Sequence, residues 1–219
     1  LKYDGIFTLQ ANGDGPVGTL MADVTTAGDF RCYARYDADR LPAAPARGTV
    51  ALPRLLGAGH LAFTVDQGGE HERYQGITDL DGSTLAECVH HYFRQSEQLQ
   101  TAVMAAARED GGARAGALML QQLPKQAEQA DADEDWRRAV ILMSSLTPGE
   151  LLDASVPAAG LLYRLFHEDG VRLYEQAPVR NVCRCSELKV RRTLQSLRRS
   201  EVADMAEADG RVVVTCEFC

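Results

Sequence analysis

Four cysteines near the C-terminus constrain this chain more than any other feature. Cys183-Arg184-Cys185 is followed by thirty residues and then Cys216-Glu217-Phe218-Cys219, so four of the six cysteines fall in the last 37 of 219 residues. Two close pairs of thiols can converge on one point and make a tetrahedral Cys₄ site. Soft thiolates suit zinc, which brings no redox chemistry of its own. A segment of this size has too little core to fold alone, so a bound metal should supply much of its folding energy. Between the pairs, Ser186 can cap a helix that carries Val190, Leu194 and Leu197 on one face. A second short helix is expected over 201–208, and Asp209-Gly210 should turn into a strand over 211–215 that delivers the second pair.

Spacing alone leaves three readings of this site open: four reduced, unligated cysteines, a structural metal or a metal-linked thiol switch. Most closed Cys₄ sites are structural. The C-x-C pair is unusual, however, and the partners within each pair are near enough in sequence to close a local disulfide. Oxidation would then remove every ligand, because metal binding needs thiolates. Cys32 and Cys88 stand alone. The uneven distribution is not that of a secreted disulfide scaffold and points to a reducing compartment.

The remaining composition is that of a soluble globular protein, with 45% hydrophobic and 25% charged residues. A net charge of −8 argues against general nucleic-acid binding, which needs a basic surface. No run approaches the roughly 20 apolar residues of a membrane span. The opening LKYDGIFTLQ carries no secretory signal pattern. It starts without Met on what reads as the edge of a strand, and the last residue is itself an expected ligand, so further residues are expected at both ends.

Upstream, residues 1–80 alternate and turn like a sheet. Strands are expected over 6–10, 19–25 and 30–36, a loop or irregular edge over 41–53, and a hairpin pairing 60–65 with 72–78 around Gln67-Gly68-Gly69. Ser83 or Thr84 can cap a helix, Thr84 and Glu87 match a capping box, and Leu85, Cys88, Val89, Tyr92 and Phe93 follow at helical spacing. Strands over 100–107 and 115–123 flank Asp110-Gly111-Gly112. The stretch 126–135 is polar and acidic and suits a linker or a helix start. Apolar helices are expected over 136–146, 150–152 and 160–167, and a short strand over 171–174.

Several stretches resemble the Hsp33 family. VTCEFC closes the C-x-C, thirty-residue, C-x-x-C order, and ERYQGITDLDGSTLAECVHHYFRQSEQLQT (72–101) is similar to that family's most characteristic block. ANGDGPVGTLMADV, AGALMLQQLP and LLYRLFHEDGVRLYE match in order, so the likeness spans nearly the whole chain. It implies an α+β fold with an N-terminal mixed sheet domain and packed helices (1–129), a helical linker (130–182) and a small C-terminal zinc-binding module (183–219). It implies an ATP-independent holdase of the bacterial cytoplasm, not an enzyme, that takes unfolded or partly unfolded client proteins and neither nucleic acid nor membrane. Reduced, with one Zn²⁺ on Cys183, Cys185, Cys216 and Cys219, such a protein is inactive. Oxidised, with disulfides Cys183–Cys185 and Cys216–Cys219, it loses zinc, unfolds the linker and forms a homodimer. The family's N-terminal helical segment and its short tail beyond the last ligand have no counterpart among these residues.

The switch reading gives the linker's apolar side chains a role. Trp136, Val140, Ile141, Leu142, Leu161, Leu162, Tyr163, Leu165 and Phe166 should pack on the sheet domain and on one another when reduced. They should be partly exposed to clients when oxidised. Other signals are weaker. Gly13-Asp14-Gly15-Pro16-Val17-Gly18 matches G-x-G-x-x-G, but a strand rather than a helix is expected after it, so a hairpin turn is preferred. Cys88 and His91 lack a second ligand pair, and a packed core cysteine is expected. Lys189, Arg191, Arg192, Arg198 and Arg199 are basic, yet Glu201, Asp204, Glu207 and Asp209 follow them. A solvated face, or a docking surface for the acidic stretch 131–135, is preferred over nucleic acid. The rival reading is a zinc-ribbon nucleic-acid-binding or regulatory protein. A disulfide oxidoreductase lacks the βαβ frame it would need.

Overall fold

The alternation seen in the sequence becomes one six-stranded sheet with two different faces. A computed structural model describes residues 4–43, 45, 49–69, 72–109, 112–123 and 132–219. Strands β1 (Ile6–Gly13), β2 (Val17–Thr25), β3 (Asp29–Tyr36), β4 (Gly59–Asp66) and β5 (Tyr74–Asp79) pair antiparallel in the order β5-β4-β1-β2-β3. Phe7, Leu9 and Ala11 of β1 turn to one face and join Leu61 and Phe63 of β4 in the main core. Thr8 and Gln10 turn to the other, polar face, beside Met21, Asp23, Arg31, Thr64 and Gln75.

Helix α1 (Leu52–Leu56) and helix α2 (Leu85–Gln95) cover the apolar face. Thr84 caps α2 by accepting from the Glu87 amide at 3.2 Å, while the Glu87 carboxylate accepts from the Ser83 amide. Cys88 and Tyr92 then point inward, and the Tyr92 ring stacks on Phe63 at 4.0 Å between centroids. The expected core cysteine is therefore found, and burial pushes its thiol pKa up. His91 reaches Asp81 at 3.4 Å.

Helix α1 was not expected; it begins in the last two residues of the expected loop and continues over residues given no element. Five residues are too few to show a helical period, but Pro53 presets the first turn and Leu56 is fully buried. The glycine pattern at 13–18 serves this packing. The Gly15 amide donates to the Leu56 carbonyl at 2.8 Å, and a Cβ at Gly13 or Gly15 would collide with the α1 backbone. Strand β2 follows directly, so the turn reading holds and the nucleotide reading fails for want of a helix.

Strands β6 (Thr101–Arg108) and β7 (Arg114–Gln121) form a separate antiparallel pair; part of their expected turn, 110–111, lies outside the described residues. Helices α3 (Ala132–Ser144), α4 (Pro148–Leu151) and α5 (Ala158–Phe166) follow. Leu146, Leu161 and Leu165 make a second core with Met104 and Leu118 from the β6–β7 pair. Helix α3 starts inside the stretch read as a linker or a helix start, where Asp133, Glu134 and Asp135 favour a helix N-terminus. Of the stretch 126–135 expected as a linker or a helix start, residues 126–131 lie outside the described residues.

The strand expected over 171–174 does not form. Leu173 and Tyr174 are exposed, and the chain pairs only at β8 (Arg180–Asn181), parallel to β3 at Asp29 and Phe30. Apolar alternation cannot distinguish an extended connection from a paired strand; an available edge decides. Gly28 at φ 83° supplies that edge, since a Cβ there would strike the Pro178 carbonyl. Past β8, helix α6 (Glu187–Ser196) begins at the expected Ser186 cap, and helix α7 (Arg199–Asp204) starts two residues early because Glu201 accepts from the Arg198 amide at 2.8 Å. Residues 211–215 run without a ladder partner, so that expected strand is absent.

Candidate metal centre

Strand β8 places the first cysteine pair beside the sheet. The Arg180 amide donates to Gly28 at 2.9 Å and the Val182 amide to Phe30 at 3.0 Å, so Cys183 emerges beside the start of β3. Ser186, directly after Cys185, accepts from the Lys189 amide and turns the chain into α6. The Glu207 amide then donates to Arg211 at 2.8 Å across the Asp209-Gly210 turn, and Gly210 takes φ 77°. That reversal sends residues 211–215 back to the start of the module with Cys216 at their end.

The four sulfurs converge. All lie within 4.8 Å of one another, with Cys183 Sγ to Cys216 Sγ and Cys185 Sγ to Cys219 Sγ both at 3.5 Å. A tetrahedral thiolate site with metal–sulfur distances of about 2.3 Å separates its sulfurs by about 3.8 Å. The residues therefore fit a metal ion, and a four-thiolate set favours a soft one.

Electrostatics say why a cation belongs there. The Cys185 amide and thiol both donate to Cys183 Sγ, lowering its pKa to about 6. A thiolate there opposes further ionisation of its neighbours. Cys185 is raised chiefly by Cys183, and Cys219 is pushed up to about 12, chiefly by Cys185 and then Cys183. The cluster gives up its first proton easily and its last only to a positive charge that replaces it.

The residues threaded between the ligands leave the cluster and meet the polar face of the sheet. Arg184 Nη2 donates to Asp23 Oδ1 at 2.6 Å, while Arg31 Nε donates to Asp23 Oδ2 at 2.9 Å. The Arg31 guanidinium lies 3.9 Å over the Phe218 ring, and Tyr33 packs against the same ring. The Tyr33 hydroxyl meets the Glu217 carboxylate, which raises its pKa. Neither the sheet residues Asp23, Arg31 and Tyr33 nor the intervening Arg184 and Phe218 were expected to be functional. The one available signal was Asp23, the one charged residue of β2.

Among the expected linker residues, Leu161 and Leu165 are buried, and Trp136, Leu142, Leu162 and Phe166 are half-buried. Ile141 and Tyr163 depart from the expected packing, being 62% and 63% exposed. Helix α3 turns Met143 inward, and Leu146 just beyond it, which puts Ile141 on the outer side. Tyr163 stands out from α5 beside His167. The basic residues Arg191 and Arg198 pair with Glu187 and Glu201 of their own module, as a solvated face should. No helix among the described residues is long and apolar enough to cross a membrane.

Comparison with known proteins gives one consistent result. The family model described as Hsp33 protein matches residues 1–219. The 33 kDa chaperonin of Caulobacter vibrioides is 40% identical over 226 residues, covering 100% of this chain and 74% of that protein. The 33 kDa chaperonin of Ectopseudomonas mendocina is 40% identical over 222 residues, covering 100% and 72%. The crystal structure of the 33 kDa chaperonin from Thermotoga maritima superposes with a TM-score of 0.82 at 24% identity, over 100% of this chain and 73% of that one.

Proposed function

The chain belongs to the Hsp33 family, and from that premise we propose that it is a redox-regulated, ATP-independent holdase that binds unfolding proteins in the bacterial cytoplasm. Its proposed parts are a substrate-binding and dimerisation domain (1–129), a linker sensitive to oxidation and unfolding (130–182) and a Cys₄ redox module (183–219). Cys183, Cys185, Cys216 and Cys219 are the proposed ligands of one Zn²⁺. Bound zinc would supply the charge that keeps four thiolates together.

Oxidation of the ligands is the proposed trigger. Each disulfide, Cys183–Cys185 and Cys216–Cys219, forms as two thiolates give up two electrons. With a peroxide as oxidant, two hydrogen peroxide molecules take four electrons and four protons and leave as four waters. Without thiolates the module loses its hold on the metal and its folding energy. The chain leaving α5 would then lose the anchor that β8 gives it on β3, and Leu161, Leu165 and Phe166 would become available to apolar client segments and to a second copy of the chain.

The convergence of the four sulfurs carries this reading. Its test follows zinc released per chain during peroxide treatment at elevated temperature, together with aggregation of a heat-unfolded client. One zinc released per chain, with a gain of aggregation suppression that dithiothreitol reverses, is expected. Zinc release with no gain in suppression would reduce the site to a structural one.

A further inference from the structure

The metal module binds the sheet through a specific contact whose two halves sit inside the two ligand pairs. Arg184 is the residue between Cys183 and Cys185, and Glu217-Phe218 lie between Cys216 and Cys219. All three reach the same small area of the sheet. Asp23 and Arg31 are directly paired across β2 and β3, and Tyr33 lies two residues along on the same face. Each oxygen of the Asp23 carboxylate takes a different guanidinium, Arg31 from its own sheet and Arg184 from the module. Arg31 in turn lies over Phe218. The sheet residue Arg31 therefore touches both Asp23, which holds Arg184, and Phe218 itself.

We propose that Arg184 and Phe218 latch the metal module onto the polar face of the sheet through Asp23, Arg31 and Tyr33, and that this latch closes only while the four cysteines are held on one metal. The inference rests on the reading of the cysteines as a metal site. The Cys183/Cys185 pair and the Cys216/Cys219 pair are separated in sequence by thirty residues. Only their convergence fixes Arg184 relative to Phe218. Once the pairs separate, one half can still touch the sheet, but the two no longer arrive together, and the gain from joining them is lost.

The charge arrangement suits a contact that must open. Asp23 is almost fully buried, with a side chain 2% exposed. A lone carboxylate there would be costly, but Arg31 remains beside it when Arg184 leaves. The departing guanidinium regains water, so release strands no unpaired buried charge. Arg180 adds a hinge, pairing with Asp29 at 2.6 Å where β8 meets β3.

The test uses Arg184→Gln and Phe218→Ala in the full chain, reduced and loaded with zinc. Neither side chain supplies a ligand, so zinc content should stay at one per chain. Amide hydrogen exchange at 180–182 and in the module should accelerate at least several-fold in both variants. Transfer of zinc to a chromophoric chelator should also accelerate several-fold, because an undocked module opens more often. Exchange and transfer rates equal to wild type in both variants would overturn the latch. Wild-type protein that binds no zinc would instead overturn the metal reading. The exchange measurement needs no oxidant, so it tests the latch even where the redox step fails.

Discussion

Replacing Cys216 with serine is expected to lower zinc affinity by more than about 100-fold and to melt the last 37 residues. Outer-shell changes at metal sites already cost about 10–100-fold, and loss of a thiolate ligand should exceed that. The structural consequence follows from burial. Neither α6 nor α7 contains a buried residue, so packing cannot hold this segment together. Metal binding in such units is folding free energy, of about 10–16 kcal/mol in zinc-finger peptides. Competition with a chromophoric chelator measures the affinity, and amide exchange over 187–204 measures the melting. Retained affinity would remove Cys216 from the ligand set. Loss of affinity with helices still protected would show that docking on the sheet, rather than metal, holds the module.

Tyr92→Ala is expected to destabilise the sheet domain by about 3–5 kcal/mol. Its ring is 2% exposed, stacks on Phe63 and meets Phe93 edge-on. The strand beneath it is shaped to fit, since any side chain at Gly76 would run into the Tyr92 ring. Its hydroxyl donates to Glu97 at 3.0 Å, where Tyr74 also donates at 2.8 Å. Burial and this carboxylate push its ionisation far above the usual tyrosine range, so the phenol stays a neutral donor. Tyr92→Phe should therefore cost only about 1 kcal/mol, the net worth of one hydrogen bond. Protection of amides in β4 and α2 should fall by about 100-fold or more in the alanine variant. A loss below 1 kcal/mol would mean that the neighbouring rings collapse into the vacated space.

Features written in short stretches of sequence were legible. The Thr84 and Ser186 caps, the β4–β5 pairing and the turn after β1 each depend on residues a few positions apart. Helix α1 and β8 are not legible in this way because neither is long enough to show a period. Their existence depends on Leu56 finding a core and on Asp29–Phe30 offering an edge. The exposure of Ile141 escapes the sequence because an apolar helix does not declare which side will find a neighbour.

The same division runs through the site. Cysteine spacing by itself determined that four thiols could meet, because two close pairs need only one reversal of the chain between them. What the module meets was decided by tertiary structure alone. Asp23 and Arg184 are 161 positions apart, and no local propensity links them. They come together because β2 and β3 turn a polar face outward and β8 lays the first cysteine pair against it.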